Sequence, residues 1–255
     1  MHPFRFLRLT SVGAALALTV SAVPAIQAAE AVDPLLRQQV ESIIQEYLQA
    51  HPEAVANALQ EMERREREAE AQRAAAAIAS HSKELYEDPT SPAGGNPKGS
   101  VTLVEFFDYQ CGYCKRVAPE VAKLLQADPD VRLVYKELPI LGPESVVAAR
   151  AALAAASQGK YEAFHDALFA ATERLTEDQI FSLASGIGLD VSKLKADMNS
   201  PAVVAALERN AKLAEAIGVH GTPALIAGTE LIPGAANLAG LQGLVARARK
   251  SGGGS

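Results

Sequence analysis

The chain contains two cysteines, Cys111 and Cys114, separated by two residues. A pair at this spacing occurs as a redox-active dithiol, as half of a metal site, or as two cysteines in a structural role. A strand-like apolar run, Val101–Phe107, precedes the pair, and a helical pattern over residues 114–125 follows it. A helix N-terminus favours the thiolate, which is the form of cysteine that attacks disulfides. This context predicts a redox-active dithiol.

The two other interpretations of the cysteine pair find less support in the sequence. A disulfide between Cys111 and Cys114 closes a very short loop, whereas structural disulfides stabilise mainly by closing long loops. A zinc site needs about four ligands. The remaining candidate histidines show no ligand spacing to one another or to the cysteines: His51, His81, His165 and His220. The sequence therefore predicts no metal ligands and no cofactor.

The first 29 residues have the pattern of a secretory signal peptide. They begin with basic residues, continue with an apolar run over residues 9–23 and end in small residues. Cleavage is expected within residues 25–29. The alternative is an uncleaved membrane anchor, although the run is shorter than the roughly 20 residues of a spanning helix. A secreted protein works outside the cytoplasm, where disulfides form and persist.

Length and composition fit one domain with an appendage. The chain has 255 residues, of which 49% are hydrophobic, and this is enough to form a substantial core. The net charge is −6, and neither end carries a run of basic residues. Binding to phosphate backbones needs such a run, so the sequence predicts no nucleic-acid partner.

Residues 30–86 are predicted to form a helical stalk and linker. Asp33 is a suitable N-cap, Pro34 is a suitable first helical residue, and Pro52 starts a second helix. Apolar residues recur at helical spacing along both helices: Leu35, Leu36, Val40, Ile43, Ile44, Tyr47, Leu48, Val55, Leu59 and Met62. Because this stripe is too apolar to remain in water, we expect residues 33–62 to self-associate in a homo-oligomer. The alternative is a helix pair folded back on the main domain.

Residues 100–250 have the strand and helix pattern of an α/β domain. Strand-like runs at residues 101–108 and 131–138 flank the helix that the cysteines open, and together they predict a βαβ unit. A helical insertion spans about residues 144–218, and strand character returns at residues 221–227 and 230–234. A linker rich in proline and glycine, residues 88–99, precedes the domain, and residues 251–255 read as a flexible tail.

Four features together resemble the DsbA-type thioredoxin-fold oxidoreductases of the bacterial envelope. They are the strand ending in Glu-Phe-Phe, the Cys-Gly-Tyr-Cys helix with Pro119 beyond it, the helical insertion, and the Gly-Thr-Pro-Ala sequence at residues 221–224. The resemblance covers about residues 100–250. With the N-terminal helices added, the chain is most similar to the ScsC-like and Com1-like subgroup, whose members include disulfide isomerases. The resemblance implies a thioredoxin fold and a periplasmic location, and it favours a trimer.

The resemblance also implies roles for the residues of the Cys-Gly-Tyr-Cys motif. Cys111 is the nucleophile that forms the mixed disulfide with a client, and Cys114 is the resolving thiol. The helix dipole weakens within the first turn, which supports this order. Gly112 and Tyr113 lie at the substrate-facing tip and adjust the redox equilibrium. The family's oxidase has a histidine between its cysteines, so Tyr113 argues against the same strongly oxidising character.

Thr222 and Pro223 match the family's cis-proline turn, which lies against the dithiol. The resemblance implies that the backbone of this turn pairs with an extended client peptide. From the residues alone, Pro223 is equally suited to be an ordinary proline at the start of a strand. His220, which lies close by in the sequence, is interpreted as a loop histidine.

Glu105 matches the family's buried acid beneath the dithiol. A buried carboxyl group there can exchange a proton with Cys114, because burial raises its pKa. The alternative is an unremarkable residue at the edge of the sheet. Lys136, on the neighbouring strand, is a possible partner for Glu105.

The sequence thus predicts a thiol:disulfide oxidoreductase, with three possibilities for its role. The first is an isomerase, in which Cys111 attacks a wrong client disulfide and a client thiol releases the mixed disulfide. The second is a dithiol oxidase that is recycled by a quinone-linked membrane partner. The third is an envelope protein that handles copper(I) or assists assembly through the same thiolates. An oligomer favours the isomerase, because it can hide the dithiols from a membrane oxidase.

Overall fold

The structure is a computed structural model, and it describes residues 33–252. The predicted signal peptide and its alternative, a membrane anchor, lie outside the described residues, as do the last three residues of the predicted tail. Across residues 33–252, no helix combines the length and the hydropathy needed to span a membrane.

Two long helices begin the described chain. Helix α1 spans Pro34–Ala50, and the Asp33 carboxylate caps it by accepting from the Leu35 N–H at 2.9 Å. Helix α2 spans Pro52–Ser80. Every residue of α1 is exposed, including the apolar stripe predicted from the sequence. Of the described residues, 33–59 belong to one compact unit and 60–252 to a second.

The second unit begins earlier than the sequence indicated. Ile78 near the end of α2, and Leu85 and Tyr86 of the short helix α3 (Ser82–Tyr86), are buried in its core. The predicted linker also contains a strand, β1 (Ala93–Gly95), which pairs with the sheet. The compact unit therefore extends to residues before the predicted domain start near residue 100, because these earlier segments supply both core and sheet.

The sheet has five strands in the order β1-β3-β2-β4-β5. Strand β2 (Val101–Phe107) lies at its centre and pairs in parallel with β3 (Val131–Glu137). Helix α4 (Gly112–Ala127) joins these two strands, which gives the βαβ unit predicted from the sequence. Strands β4 (Ala224–Ala227) and β5 (Glu230–Pro233) complete the sheet as an antiparallel hairpin.

The predicted insertion between β3 and β4 is helical. It contains α5 (Pro143–Ala155), a 3-10 turn (Ala156–Gln158), α6 (Tyr161–Ala170), α7 (Glu177–Gly186), α8 (Val191–Asp197) and α9 (Pro201–Ala216). The predicted capping box is present, since Thr176 and Gln179 each bond the other's backbone. Helix α8 was not predicted, although Asp190 caps it. Helix α10 (Leu238–Lys250) ends the domain.

Alternation along the strands gives the sheet two buried faces. Leu103 and Phe107 belong to a core cluster that also contains both cysteines and residues of α4, the insertion and α10. Val104 and Phe106 belong to a second cluster with the end of α2, α3 and α9. The dithiol therefore packs on one face of β2, and the end of α2 packs with α3 on the other face.

Candidate active site

Cys111 is the N-cap residue of α4. Its sulfur accepts from the Cys114 N–H, with 3.5 Å between sulfur and nitrogen. The Cys111 thiol donates to the Thr222 carbonyl oxygen at 3.3 Å. Both cysteines are free thiols, and only 6% of the Cys111 surface is exposed. The sulfur is thus held between the first turn of α4 and the loop before β4.

Cys114 lies one turn further along α4 and is fully buried. Burial raises the pKa of its thiol well above the ordinary value. Of the two cysteines, only Cys111 has exposed surface. The burial of the two sulfurs therefore agrees with the predicted order, in which Cys111 attacks and Cys114 resolves.

Gly112 and Tyr113 form the exposed tip of the motif. Nothing lies within 4 Å of the position that a Cβ of Gly112 would occupy. The Tyr113 side chain is 59% exposed, and the Arg116 guanidinium lies 4.2 Å from its ring centroid. Both predicted substrate-binding residues of the motif therefore face open space beside Cys111.

The predicted turn at Thr222 and Pro223 lies beside the dithiol, and its peptide bond is cis. Thr222 presents its carbonyl oxygen to the Cys111 sulfur. Pro223 immediately precedes β4, and its own carbonyl accepts from the Gly234 N–H at 2.8 Å. His220 is exposed in the preceding loop, as the sequence interpretation expected.

Glu105 lies on the central strand and is only 2% exposed. The alternative of an edge residue is therefore wrong. Glu105 is two residues away from both Leu103 and Phe107 along the strand, so the three side chains share the face of the sheet that packs against the cysteines. Burial raises the pKa of Glu105 to about 8, and its Oε1 atom has no hydrogen-bond partner among the described residues.

Lys136 is not the partner of Glu105. In the β2–β3 register Glu105 lies opposite Tyr135, which places Lys136 on the other face of the sheet. Its buried ammonium donates at 2.8 Å to the Glu84 carbonyl and to the Ser91 hydroxyl. It also forms an ion pair with Asp88 at 3.5 Å. Lys136 thus fastens the segment after α2 to the sheet, and the predicted pairing with Glu105 is wrong.

A buried polar cluster on the dithiol face was not predicted from the sequence. Glu137, the last residue of β3, accepts from the hydroxyls of Tyr109 at 2.9 Å and Tyr161 at 2.8 Å. The Tyr109 hydroxyl also lies 3.1 Å from the Nδ1 atom of His165. Burial raises the pKa of Glu137 well above its usual range and lowers that of His165 to about 3. The only signal in the sequence was the proximity of Tyr109 to Cys111.

Solved structures of similar chains share this architecture. A thioredoxin-like oxidoreductase from Silicibacter pomeroyi is 49% identical, with 66% of this chain and 97% of that chain covered and a TM-score of 0.65. The catalytic domain of ScsC from Proteus mirabilis is 30% identical, with 68% and 97% covered and a TM-score of 0.63. Both are similar over the part that holds the dithiol.

A curated relative of a different kind is also similar. The Na(+)/H(+) antiporter NhaA of Herminiimonas arsenicoxydans is 35% identical over 144 residues, which are 54% of this chain but 23% of that protein. This chain therefore spans about a quarter of the length of the curated relatives that it matches.

The family assignment rests on more than half of the chain. Residues 102–246 match the family described as the DSBA-like thioredoxin domain. This range contains Cys111, Cys114, the cis bond before Pro223 and the whole helical insertion. The chain belongs to the DSBA-like thioredoxin domain family: residues 102–246 form a domain of the thiol–disulfide oxidoreductase type with a thioredoxin-like α/β fold, and an N-terminal helical region precedes it.

Proposed function

We propose that the protein is a periplasmic disulfide isomerase that works as a homo-oligomer. The observation that carries this proposal is the exposed apolar face of α1 and the start of α2, which has no cover within its own unit. The signal-peptide pattern of residues 1–29 supports the location. Clients are proteins with incorrect disulfides.

Isomerisation uses Cys111 and causes no net oxidation or reduction of the client or of the protein. The Cys111 thiolate attacks one sulfur of a client disulfide, which forms a mixed disulfide and releases the other client sulfur as a thiolate. A client thiolate then attacks the client sulfur of the mixed disulfide and releases Cys111 as a thiolate. The client leaves with a different disulfide. Cys114 resolves mixed disulfides that no client thiol releases.

Glu105 is suited to exchange a proton with Cys114 during that resolving step. The Cys114 thiol must lose its proton before it attacks, and burial makes this loss unfavourable. A carboxyl group with a pKa near 8 on the same face of the sheet accepts and returns a proton near neutral pH. We therefore assign Glu105 to proton transfer.

Exposed apolar side chains at Tyr113 and at the segment bonded to Asp108 suit unfolded clients. Tyr113, Ile140 and Leu141 are all about half exposed. The other large exposed apolar side chains among residues 33–252 lie on α1 and α2. An extended client segment that places a cysteine at Cys111 has apolar surface to contact on this side of the site.

Self-association through the apolar face of α1 is the second part of the proposal. Ile43 and Tyr47 on this face are more than half exposed, and Leu36 on the same face is half exposed. In proteins, most of the stability of a helix comes from the packing of its apolar face. The occupant that fits is the same face on further copies, and the resemblance to ScsC-like proteins favours three. A shared space between several dithiols suits disulfide reshuffling and limits access by a membrane oxidase.

The test compares Ile43→Glu with Gln45→Glu, which adds the same charge to the same exposed helix on the side away from the stripe. We expect Ile43→Glu to reduce the mass in solution to that of one chain, to abolish refolding of a scrambled disulfide protein and to keep oxidation of a dithiol peptide. Gln45→Glu should leave all three unchanged. If Ile43→Glu becomes monomeric yet still refolds the scrambled protein, the isomerase does not need the oligomer; if the wild type is monomeric, self-association is refuted.

A second test separates catalysis from a non-catalytic role of the thiols. Cys114→Ala should accumulate mixed disulfides with clients, because the resolving thiol is lost, whereas Cys111→Ala should accumulate none. If both variants refold a scrambled protein as well as the wild type, neither cysteine is catalytic. If the wild type only oxidises reduced clients and needs a quinone-linked membrane partner to turn over, the protein is an oxidase.

A further inference from the structure

Three residues connect β2 to Cys111, and the side chain of each one reaches the segment between β3 and α7. Asp108 is 1% exposed and accepts four hydrogen bonds. Its Oδ2 atom accepts from the N–H groups of Ile140 at 2.8 Å and Leu141 at 3.0 Å. Its Oδ1 atom accepts from the Ser145 hydroxyl and the Gln110 N–H, both at 2.8 Å. Asp108 thus ties the start of α5 to the loop that carries Cys111.

Tyr109 makes the second connection. Its hydroxyl donates to Glu137 and lies beside Nδ1 of His165 on α6. Its ring packs on the rings of Phe107 and Phe169, with centroids 5.3 and 4.8 Å away. The residue two positions before Cys111 is therefore fixed in the core beneath the insertion.

Gln110 makes the third connection. Its side-chain amide donates to the Leu175 carbonyl at 2.7 Å and accepts from the Leu175 N–H at 3.2 Å. Lys115, just beyond the dithiol, donates to the carbonyls of Ala171 at 2.6 Å and Glu173 at 3.3 Å. The loop between α6 and α7 is thereby held on both sides of the two cysteines.

These contacts matter for Cys111 because its sulfur is held only weakly in the dithiol form. The Cys111 N–H donates to the Asp108 carbonyl at 3.0 Å, so the three-residue loop sets the position of its backbone. The sulfur contacts the Cys114 N–H and the Thr222 carbonyl. A capping contact depends strongly on position, since the field of the helix falls off within one turn. In the disulfide form the covalent bond to Cys114 holds the same sulfur.

We propose that Asp108, Tyr109 and Gln110 are positioning residues through which the helical insertion sets the redox equilibrium of Cys111 and Cys114. Loosening the loop raises the free energy of the dithiol form more than that of the disulfide form. The equilibrium in question is dithiol protein plus oxidised glutathione giving disulfide protein plus two molecules of reduced glutathione. A loosened loop shifts it toward the disulfide protein, which becomes a weaker oxidant. The inference holds for an isomerase and for an oxidase.

The test compares Gln110→Ala with Gln158→Ala in the full-length protein. Gln158 makes the same two-way contact, to the backbone of Asp190 at 3.1 and 2.9 Å, but this contact joins the 3-10 turn to the N-cap of α8 and does not involve the loop before Cys111. We expect Gln110→Ala to raise the equilibrium constant for oxidation by glutathione about fivefold, the effect of losing one capping contact. Gln158→Ala should leave this constant unchanged.

Unfolding of the two redox forms distinguishes positioning from a structural role. For Gln110→Ala and for Tyr109→Phe, the positioning role requires a larger loss of stability in the dithiol form than in the disulfide form. Gln158→Ala should destabilise both forms equally. The proposal is overturned if Gln110→Ala and Tyr109→Phe also destabilise both forms equally and leave the glutathione equilibrium within about twofold of the wild type.

Discussion

Replacing Glu105 with glutamine removes a carboxyl group whose pKa burial raises from 4.5 to about 8. Below the ordinary pKa, the folded and unfolded chains both carry the proton, so the carboxyl group has no pH-dependent effect on stability. Above it, the unfolded chain releases the proton while the folded chain retains it. The wild type therefore loses stability as the pH rises from 4.5 toward 8, whereas glutamine does not titrate.

The size of this effect follows from the two pKa values. The interval between 4.5 and about 8 corresponds to a loss of up to about 5 kcal/mol once the pH exceeds the folded-state pKa. The difference in unfolding free energy between Glu105→Gln and the wild type should thus widen in favour of the variant across this range. Titration of Glu137 and His165 occurs in both proteins and cancels in the difference.

The assay is urea unfolding of the dithiol form from about pH 4.5 to about pH 8.5. Glu105→Leu is the control, because leucine also lacks a titrating group but cannot hydrogen-bond. The stability difference between the glutamine and leucine variants should stay constant with pH. A difference between Glu105→Gln and the wild type that does not change with pH would refute the reasoning, since Glu105 would then not be a buried acid with a raised pKa.

Three further predictions follow from the buried residues. Lys136→Met should speed proteolysis within residues 84–91 without changing the redox equilibrium, because Lys136 holds that segment on the face opposite the dithiol; an altered equilibrium would contradict this. The contribution of His165 to stability falls as the pH drops from 6.5 toward 3, because the unfolded chain takes up the proton first, so His165→Leu should gain stability relative to the wild type across this range in acid unfolding. Ile78→Ala should cost about 2–5 kcal/mol in urea unfolding, as for a fully buried residue; a cost near zero would exclude the end of α2 from the core.

Local signals in the sequence predicted the elements around the dithiol well. Val101–Phe107 is apolar throughout because the central strand is buried on both faces, and such a run is recognisable without a structure. Thr176 and Gln179 form a capping box from neighbouring residues alone. Cys111 sits at the N-cap because a strand ends just before it and a helix begins just after it.

Contacts that depend on register or on distant segments were not predicted. The strand β1 has the sequence Ala-Gly-Gly, which carries no strand preference and is extended only because it pairs with β3. The role of Lys136 followed from its place opposite Phe106, and a single sequence does not give this register. The contacts of Glu137 with Tyr109 and Tyr161 join residues 28 and 24 positions apart, respectively. No local pattern marks such a cluster.

The shallow exposure of Cys111 has a consequence for the timing of catalysis. Only 6% of the Cys111 surface is exposed, and its sulfur lies against the Thr222 carbonyl. Under the isomerase function that we propose, a disulfide in a flexible client segment can approach this sulfur, whereas one buried in a rigid, folded client cannot. The proposed isomerase would therefore act on clients while they fold, and it would spare correct disulfides once the native state buries them.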